Sequence, residues 1–204
     1  MVEVPEVWKE ILQSLQKGGI KGIIAGGCVR DFILERPIKD IDVFVPVGCG
    51  FDMWLPVGTV LVRKNDLSYA PFSDGMVKYT TTLEYKGNDV QIIEVDLEDF
   101  SSEKLMDRMD FTICQATYQL DEGEGLFGVS GNFLWDVDLK EFRLVRADNE
   151  AQFDYSMKRF ERLTAEKYKG WKFVDGRDVP VQSWECPINY PGCKENCGNY
   201  GCGN

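Results

Sequence analysis

Gly26-Gly27-Cys28-Val29-Arg30-Asp31, followed by Lys39-Asp40-Ile41-Asp42-Val43-Phe44-Val45, is the stretch that decides how this chain folds. The second run alternates carboxylates and apolar residues, the two-residue period of a strand with one buried face. Asp40 and Asp42 therefore share a face, with Cα atoms about 6.5–7 Å apart, while Ile41, Val43 and Val45 anchor the other face in a core. Two carboxylates so placed can share a pair of divalent cations about 3.5–4 Å apart, a spacing suited to in-line attack at phosphorus. The diglycine ahead of them lets backbone approach a phosphate, and a helix N-terminus behind it favours negative charge. Strand, diglycine, helix and acidic strand together predict a site that handles nucleotides.

Working outward, Pro5 to Lys17 has Val7, Ile11, Leu12 and Leu15 at helical spacing, and Gly18-Gly19 ends it. Gly22–Ala25 predicts a short buried strand and Cys28–Glu35 a helix. Pro37 opens the turn into Asp40–Val45. Further strands are expected at Thr59–Arg63, Val77–Tyr85 and Val90–Asp96, the last two joined by a hairpin at Lys86-Gly87-Asn88-Asp89. Ser101 should cap a short helix. Phe111–Ala116 reads as a buried helix or turn, Glu122–Gly128 as a Gly-rich loop, and Glu141–Val145 as a strand. Asp148–Lys169 predicts a long helix outside the catalytic head. From Glu185 the composition turns to Cys, Gly, Asn and Pro.

Composition removes several chemistries. The 204 residues contain no histidine, which excludes His-based triads and His metal ligands. Acid–base and metal chemistry must run on carboxylates, thiols, Lys or Tyr. A formal net charge of −11 opposes nonspecific attraction to nucleic acid, whose affinity rests on Lys and Arg, and no preference for DNA is inferred. Magnesium–triphosphate substrates suffer less, because the metal brings positive charge. Neither a basic-apolar leader nor an apolar run of about 20 residues is evident, so no membrane partner and a cytoplasmic location are expected.

The segment with Gly26-Gly27, Val29-Arg30-Asp31, Leu34, Arg36, Asp40 and Asp42 resembles the signature of the polymerase beta superfamily of nucleotidyltransferases. Its form is similar to that of the class II CCA-adding tRNA nucleotidyltransferases and bacterial poly(A) polymerases. Arg108-Met109-Asp110-Phe111-Thr112-Ile113-Cys114-Gln115-Ala116-Thr117-Tyr118 resembles a second motif of that family, R-R-D-F-T-I-N-A-x-A-Y. Asp136–Val145 echoes a third, and the three stand in the family's order across residues 20–146. The resemblance implies an α+β head, a small mixed β-sheet flanked by helices, at 1–146. A neck-like helical segment at 147–180 and a cysteine-rich tail at 181–204 would follow.

It also implies roles. Asp40 and Asp42 would hold two Mg²⁺ ions, and Gly26, Gly27, Arg30, Arg108 and Asp110 would bind the NTP. Arg30 could instead pair with Asp31, and Asp110 could instead cap the segment from Phe111. The third carboxylate is open between Glu94, Asp96 and Asp110, because the family's Glu position holds Gln91. Met109 replaces the motif's second Arg. The family's neck helix reads the incoming base through E-D-x-x-R, but Asp154 here is followed at the Arg spacing by Met157. Lys158, Arg159 and Arg162 sit in the densest basic cluster, which either guides RNA or forms a solvated face. Cys186, Cys193, Cys197 and Cys202 suggest a Zn²⁺ loop, against a reduced tail without metal. Cys28, Cys49 and Cys114 read as packing thiols.

Transfer of a nucleoside monophosphate from an NTP to an acceptor hydroxyl, first an RNA 3′ end such as that of tRNA, is the activity so implied. A protein partner or a smaller acceptor is the variant. The rival is a weak or inactive module that keeps the fold and binds RNA or protein; Gln91 and Met109 favour it, whereas the intact Asp40 and Asp42 oppose it.

Overall fold

The computed structural model describes residues 3–66 and 75–177. Among these, one mixed sheet of seven strands dominates, in the order β3-β4-β5-β2-β1-β6-β7. Its strands are β1 (Ile23–Ala25), β2 (Asp40–Pro46), β3 (Val60–Asp66), β4 (Val77–Tyr85), β5 (Asn88–Val95), β6 (Ala116–Asp121) and β7 (Glu124–Val129). The pairing of β2 with β5 is parallel, and the other ladders of this sheet are antiparallel. A second, two-stranded parallel sheet joins β8 (Glu141–Leu144) to β9 (Lys172–Asp175). The helices are α1 (Glu6–Lys17), α2 (Gly27–Ile33), α3 (Ser102–Met106), α4 (Phe133–Leu139) and α5 (Glu150–Glu166). This is the mixed α/β head that the resemblance implied. No helix among the described residues is long and apolar enough to cross a membrane.

The alternation in β2 divides the sheet into two chemical faces. Ile41, Val43 and Val45 enter the main core with Val7, Trp8, Ile11, Leu12 and Leu15 of α1. Burying that stripe contributes about 1.5–3 kcal/mol per large apolar side chain. Asp40, Asp42 and Phe44 face the other way, and Phe44 joins a smaller cluster with Ala25, Val77 and Val95. Register fixes what stands beside them. Asp42 aligns with Gln91 of β5, which aligns with Thr82 of β4; Phe44 aligns with Ile93, which aligns with Thr80.

Several elements lie where the periodicity puts them, within a residue or two. The hairpin tightens to Lys86-Gly87, both at positive φ (51° and 74°), the left-handed pair that a two-residue turn demands. Ser101 caps α3 by accepting a hydrogen bond from the Lys104 amide at 3.2 Å. The expected Gly-rich loop at 122–128 is instead the turn and strand of the β6–β7 hairpin. Its glycines are there for proximity: a Cβ on Gly125 would stand 2.4 Å from the Tyr118 hydroxyl, and one on Gly128 would stand 2.7 Å from Thr117 Oγ1. The long helix does form, as α5, but it packs on the head rather than outside it. The four C-terminal cysteines proposed for zinc lie outside the described residues.

Candidate active site

A cleft of ≈ 280 Å³ opens over the acidic face of β2, between the sheet, the start of α2, the loop at 108–110 and one side of α5. Small-molecule sites begin at roughly 300 Å³, so it suits one nucleotide-sized group. Asp40 and Asp42 both line it. Neither accepts a hydrogen bond or an ion pair from another side chain among the described residues. Burial, and then the charge of Asp40, push the Asp42 carboxyl up to about 7, with Arg159 opposing. Two adjacent carboxylates held short of counter-charge are a fitting donor set for a hard cation. Among the described residues no third Asp, Glu or Cys joins them. Mg²⁺ commonly takes one or two carboxylates and completes its shell with water and substrate phosphates. The residues therefore fit a magnesium ion that arrives with a triphosphate, and do not form an all-protein cage.

Gly26 holds φ +83° and ψ −135°, a conformation open only to glycine. That turn swings the chain from β1 into α2 beside the carboxylates. Its own amide donates to the Ala116 carbonyl at 2.9 Å, so it is not free to bind phosphate. Gly27, which also lines the cleft, follows as the first residue of α2.

Arg30 lines the cleft but takes the second of its two expected roles, the pairing with Asp31. It is 2% exposed and is consumed internally. Its Nε and Nη2 donate to Asp31 Oδ1 at 2.8 and 2.7 Å, Nε also reaches the Tyr168 hydroxyl at 2.7 Å, and Nη1 reaches Cys114 Sγ at 3.4 Å. Tyr168 donates to the same Asp31 oxygen at 2.6 Å, and Lys167 Nζ takes the other at 2.7 Å. Although burial opposes it, Arg30, Lys167 and Tyr168 hold the Asp31 carboxyl below its ordinary value. Arg36 lies over the Tyr168 ring, 4.4 Å from its centroid, and donates to the Lys167 carbonyl. These contacts latch the end of α5 to α2.

Asp110 lines the cleft but is likewise saturated. One oxygen accepts from the Phe111 amide and Arg159 Nη1, both at 2.9 Å, and the other accepts from Ser156 Oγ at 2.9 Å. Asp110 above all, with Cys114, keeps Arg159 firmly protonated. Asp110 lines the cleft but caps no helix: the 3-10 turn at Thr112–Cys114 has Phe111 at its N-cap and no side-chain cap. Arg108 lines the same cleft, and Met109 stands within 4.0 Å of where a Gly26 Cβ would be.

Glu94 and Asp96 are corrected as third ligands. Glu94 points to the opposite face of β5 and accepts from the Gly48 amide at 3.0 Å. Asp96 lies past the end of β5 and pairs with Lys78 at 3.2 Å. Gln91 is the residue beside Asp42 in the cleft. Of the basic trio, Arg159 and Arg162 face the cleft while Lys158 is exposed and lies outside its lining. Sequence reasoning missed Gln152, Tyr155, Ser156 and Glu166, which share that helix face at three- and four-residue steps. Counting the E-D-x-x-R spacing back from Arg159 reaches Tyr155 and Ser156, so both acids of that motif are replaced. Cys28 and Cys114 are buried as expected, and Cys49 is half-buried.

The family model described as "Gabija anti-defense 2 family protein" matches residues 4–140. The CCA-adding enzyme of Streptococcus pyogenes is 28% identical over 186 residues, covering 85% of this chain and 41% of that enzyme. The CCA-adding enzyme of Staphylococcus epidermidis is 39% identical over 61 residues, covering 28% of this chain and 15% of that enzyme. The chain thus spans well under half the length of the curated relatives it matches. Among solved structures, a CCA-adding enzyme with ATP superposes with a TM-score of 0.59 at 20% identity, covering 85% of this chain and 40% of that one. A tRNA nucleotidyltransferase with a primer tRNA and an incoming ATP analogue gives 0.56 at 19%, covering 80% and 46%. At such identity these structures establish the fold alone: this chain has the fold of the head of those enzymes.

Proposed function

Since the chain belongs to the Gabija anti-defense 2 family, we propose that it counters that defence as a nucleotidyltransferase, moving a nucleoside monophosphate from an NTP to an acceptor hydroxyl. The observation that carries this reading is the pair Asp40 and Asp42, left without side-chain partners at the floor of a cleft rimmed by Lys39, Arg108 and Arg162. Magnesium held by the two carboxylates would neutralise triphosphate charge and lower the pKa of an attacking hydroxyl. The chain's own work is placement. Gly26 and Gly27 would let backbone approach without side-chain obstruction, and Arg162, which lines the cleft, would meet phosphate oxygens. Asp110 and Ser156 fix Arg159 against the acidic pair, where its charge offsets theirs. Such a site accelerates transfer by position and charge stabilisation rather than by covalent chemistry. The names of the relatives make a tRNA-like 3′ end the first acceptor to try.

Purified protein incubated with each α-³²P-NTP, Mg²⁺ and total RNA should label an RNA band, and the Asp40→Ala/Asp42→Ala double variant should not. Neither label nor Mg²⁺-dependent NTP binding by the wild type would sink the reading. The second reading, a binding module without turnover, is favoured by Gln91 beside Asp42 and by Tyr155 and Ser156 in place of acids. It would show partner binding unchanged in the double variant and no label in either protein.

A further inference from the structure

Away from the cleft, the large apolar side chains that reach solvent are concentrated in one place. Val57 is fully exposed, Met53, Val60, Leu61 and Val62 are more than half exposed, and Trp54 is exposed beside them, all within residues 53–62. Single exposed apolar residues are ordinary, but a contiguous run of this kind marks a surface that meets another. The run comprises the loop ahead of β3 and the first half of β3, the outermost strand of the main sheet. Among the described residues β3 pairs with β4 alone, so its other edge offers backbone N–H and C=O groups with no strand beside them. Edge strands are commonly guarded by charge or proline. From Thr59 to Val62 β3 carries neither, and its cations, Arg63 and Lys64, come only after the apolar run. The ladder to β4 slips at Val62, which twists the strand without charging it.

A second copy of the chain fits this edge. Antiparallel pairing of β3 with itself is the closed, two-fold arrangement. Centred on Leu61, it sets Leu61 against Leu61, Val60 against Val62 and Thr59 against Arg63, so the apolar runs cover each other. The two Arg63 residues then stand four residues apart along the strands, about 13 Å, beyond the screening length of about 8 Å at physiological salt. Lys64 is already paired with Asp52. The edge therefore adds little to the repulsion between two bodies of net charge −11. At about 60–120 Å² each, the six side chains would bury on the order of 500 Å² of apolar surface per copy. The strand backbone, Thr59 and Arg63 bring the face towards the roughly 800 Å² per partner of a standard interface. We propose that two copies of the chain pair through β3, continuing the main sheet across a two-fold axis. That axis is normal to the sheet, so both acidic clefts open on one face. Seven strand steps of about 4.8 Å put the two acidic pairs about 34 Å apart by strand count.

The test is analytical ultracentrifugation of the full chain, under reductant, from about 2 to 200 µM in about 150 mM salt. The mass should rise from one chain to two, with a dissociation constant on the order of 10 µM. Association should weaken at about 25 mM salt, where the like net charges are less screened. Val60→Lys sets two ammonium groups beside the axis and should weaken pairing by about tenfold or more. It should melt no lower than wild type, because Glu84 is its cross-strand neighbour on β4. Val60→Thr should pair within about threefold of wild type. Amide exchange over 59–63 should slow as concentration rises, while that over 124–129 at the opposite edge stays constant. A chain that remains monomeric at the highest concentration overturns the proposal and leaves the edge to a strand of another protein. Growth beyond two chains overturns it too, as does a dimer that Val60→Lys leaves intact or whose concentration-dependent protection falls on β7.

Discussion

Asp42 carries opposing demands that can be measured one at a time. Its carboxyl is pushed up to about 7 from an ordinary 3.8 by burial and by Asp40. In the metal-free protein the native state therefore binds the extra proton between those values, and stability falls as pH rises from about 4 through 7. Asp42→Asn removes that loss, so its melting temperature should exceed that of wild type above pH 7 in EDTA and converge with it near pH 4. Differential scanning fluorimetry across pH reads this directly; parallel profiles would refute the burial argument. The same carboxyl must deprotonate to take a cation, so Mg²⁺ affinity in the presence of NTP should rise with pH up to about 7 and then level. Gly26 makes a different residue-scale prediction. At φ +83° and ψ −135° an added Cβ has open space but a forbidden backbone. Gly26→Ala should cost about 1–3 kcal/mol, seen as a lower urea midpoint.

Two elements, α2 and α5, make the cleft a single unit. Arg30 and Asp31 on α2 meet Lys167 and Tyr168 at the end of α5, while Asp110 grips Ser156 and Arg159 in the middle of that helix. Truncating one partner of a buried ion pair leaves the other uncompensated. Arg30→Met should therefore lose about 3–5 kcal/mol in chemical denaturation. Tyr168→Phe should be milder and local: faster amide exchange over 150–166 with little change in the sheet.

This latch also explains what the sequence concealed. The acidic strand was legible because a two-residue alternation depends on nearest neighbours alone. Arg30's burial was not, since its partners Tyr168 and Cys114 are distant along the chain. That Glu94 and Gln91 face opposite ways was legible from their spacing, but which face carries the site is set by the register of Gln91 with Asp42. β7 was hidden by glycines that read as loop formers but serve close approach to Tyr118 and Thr117. Tyr155 and Ser156 were obscured by anchoring the neck motif on Asp154, whereas packing selects the face that carries Arg159.

Across the whole molecule, a net charge of −11 coexists with a cleft whose mouth gathers Lys39, Arg108, Arg146 and Arg162. An acidic body repels a polyanion everywhere except where local cations focus the field. RNA engagement should accordingly be confined to that mouth and to few phosphates. If about three contacts form, the slope of log affinity against log salt is about −2 for a single strand, from −0.7 per phosphate. The slope can be read from transcript titrations between about 25 and 200 mM salt, an eightfold span chosen to sample screening lengths of about 20 to 7 Å. Arg162→Ala should flatten it by close to one contact, because Arg162 lines the mouth of the cleft. A steep slope that Arg162→Ala leaves unchanged would mean that RNA rides on another surface, and the acidic pair would then face an acceptor other than the RNA so bound.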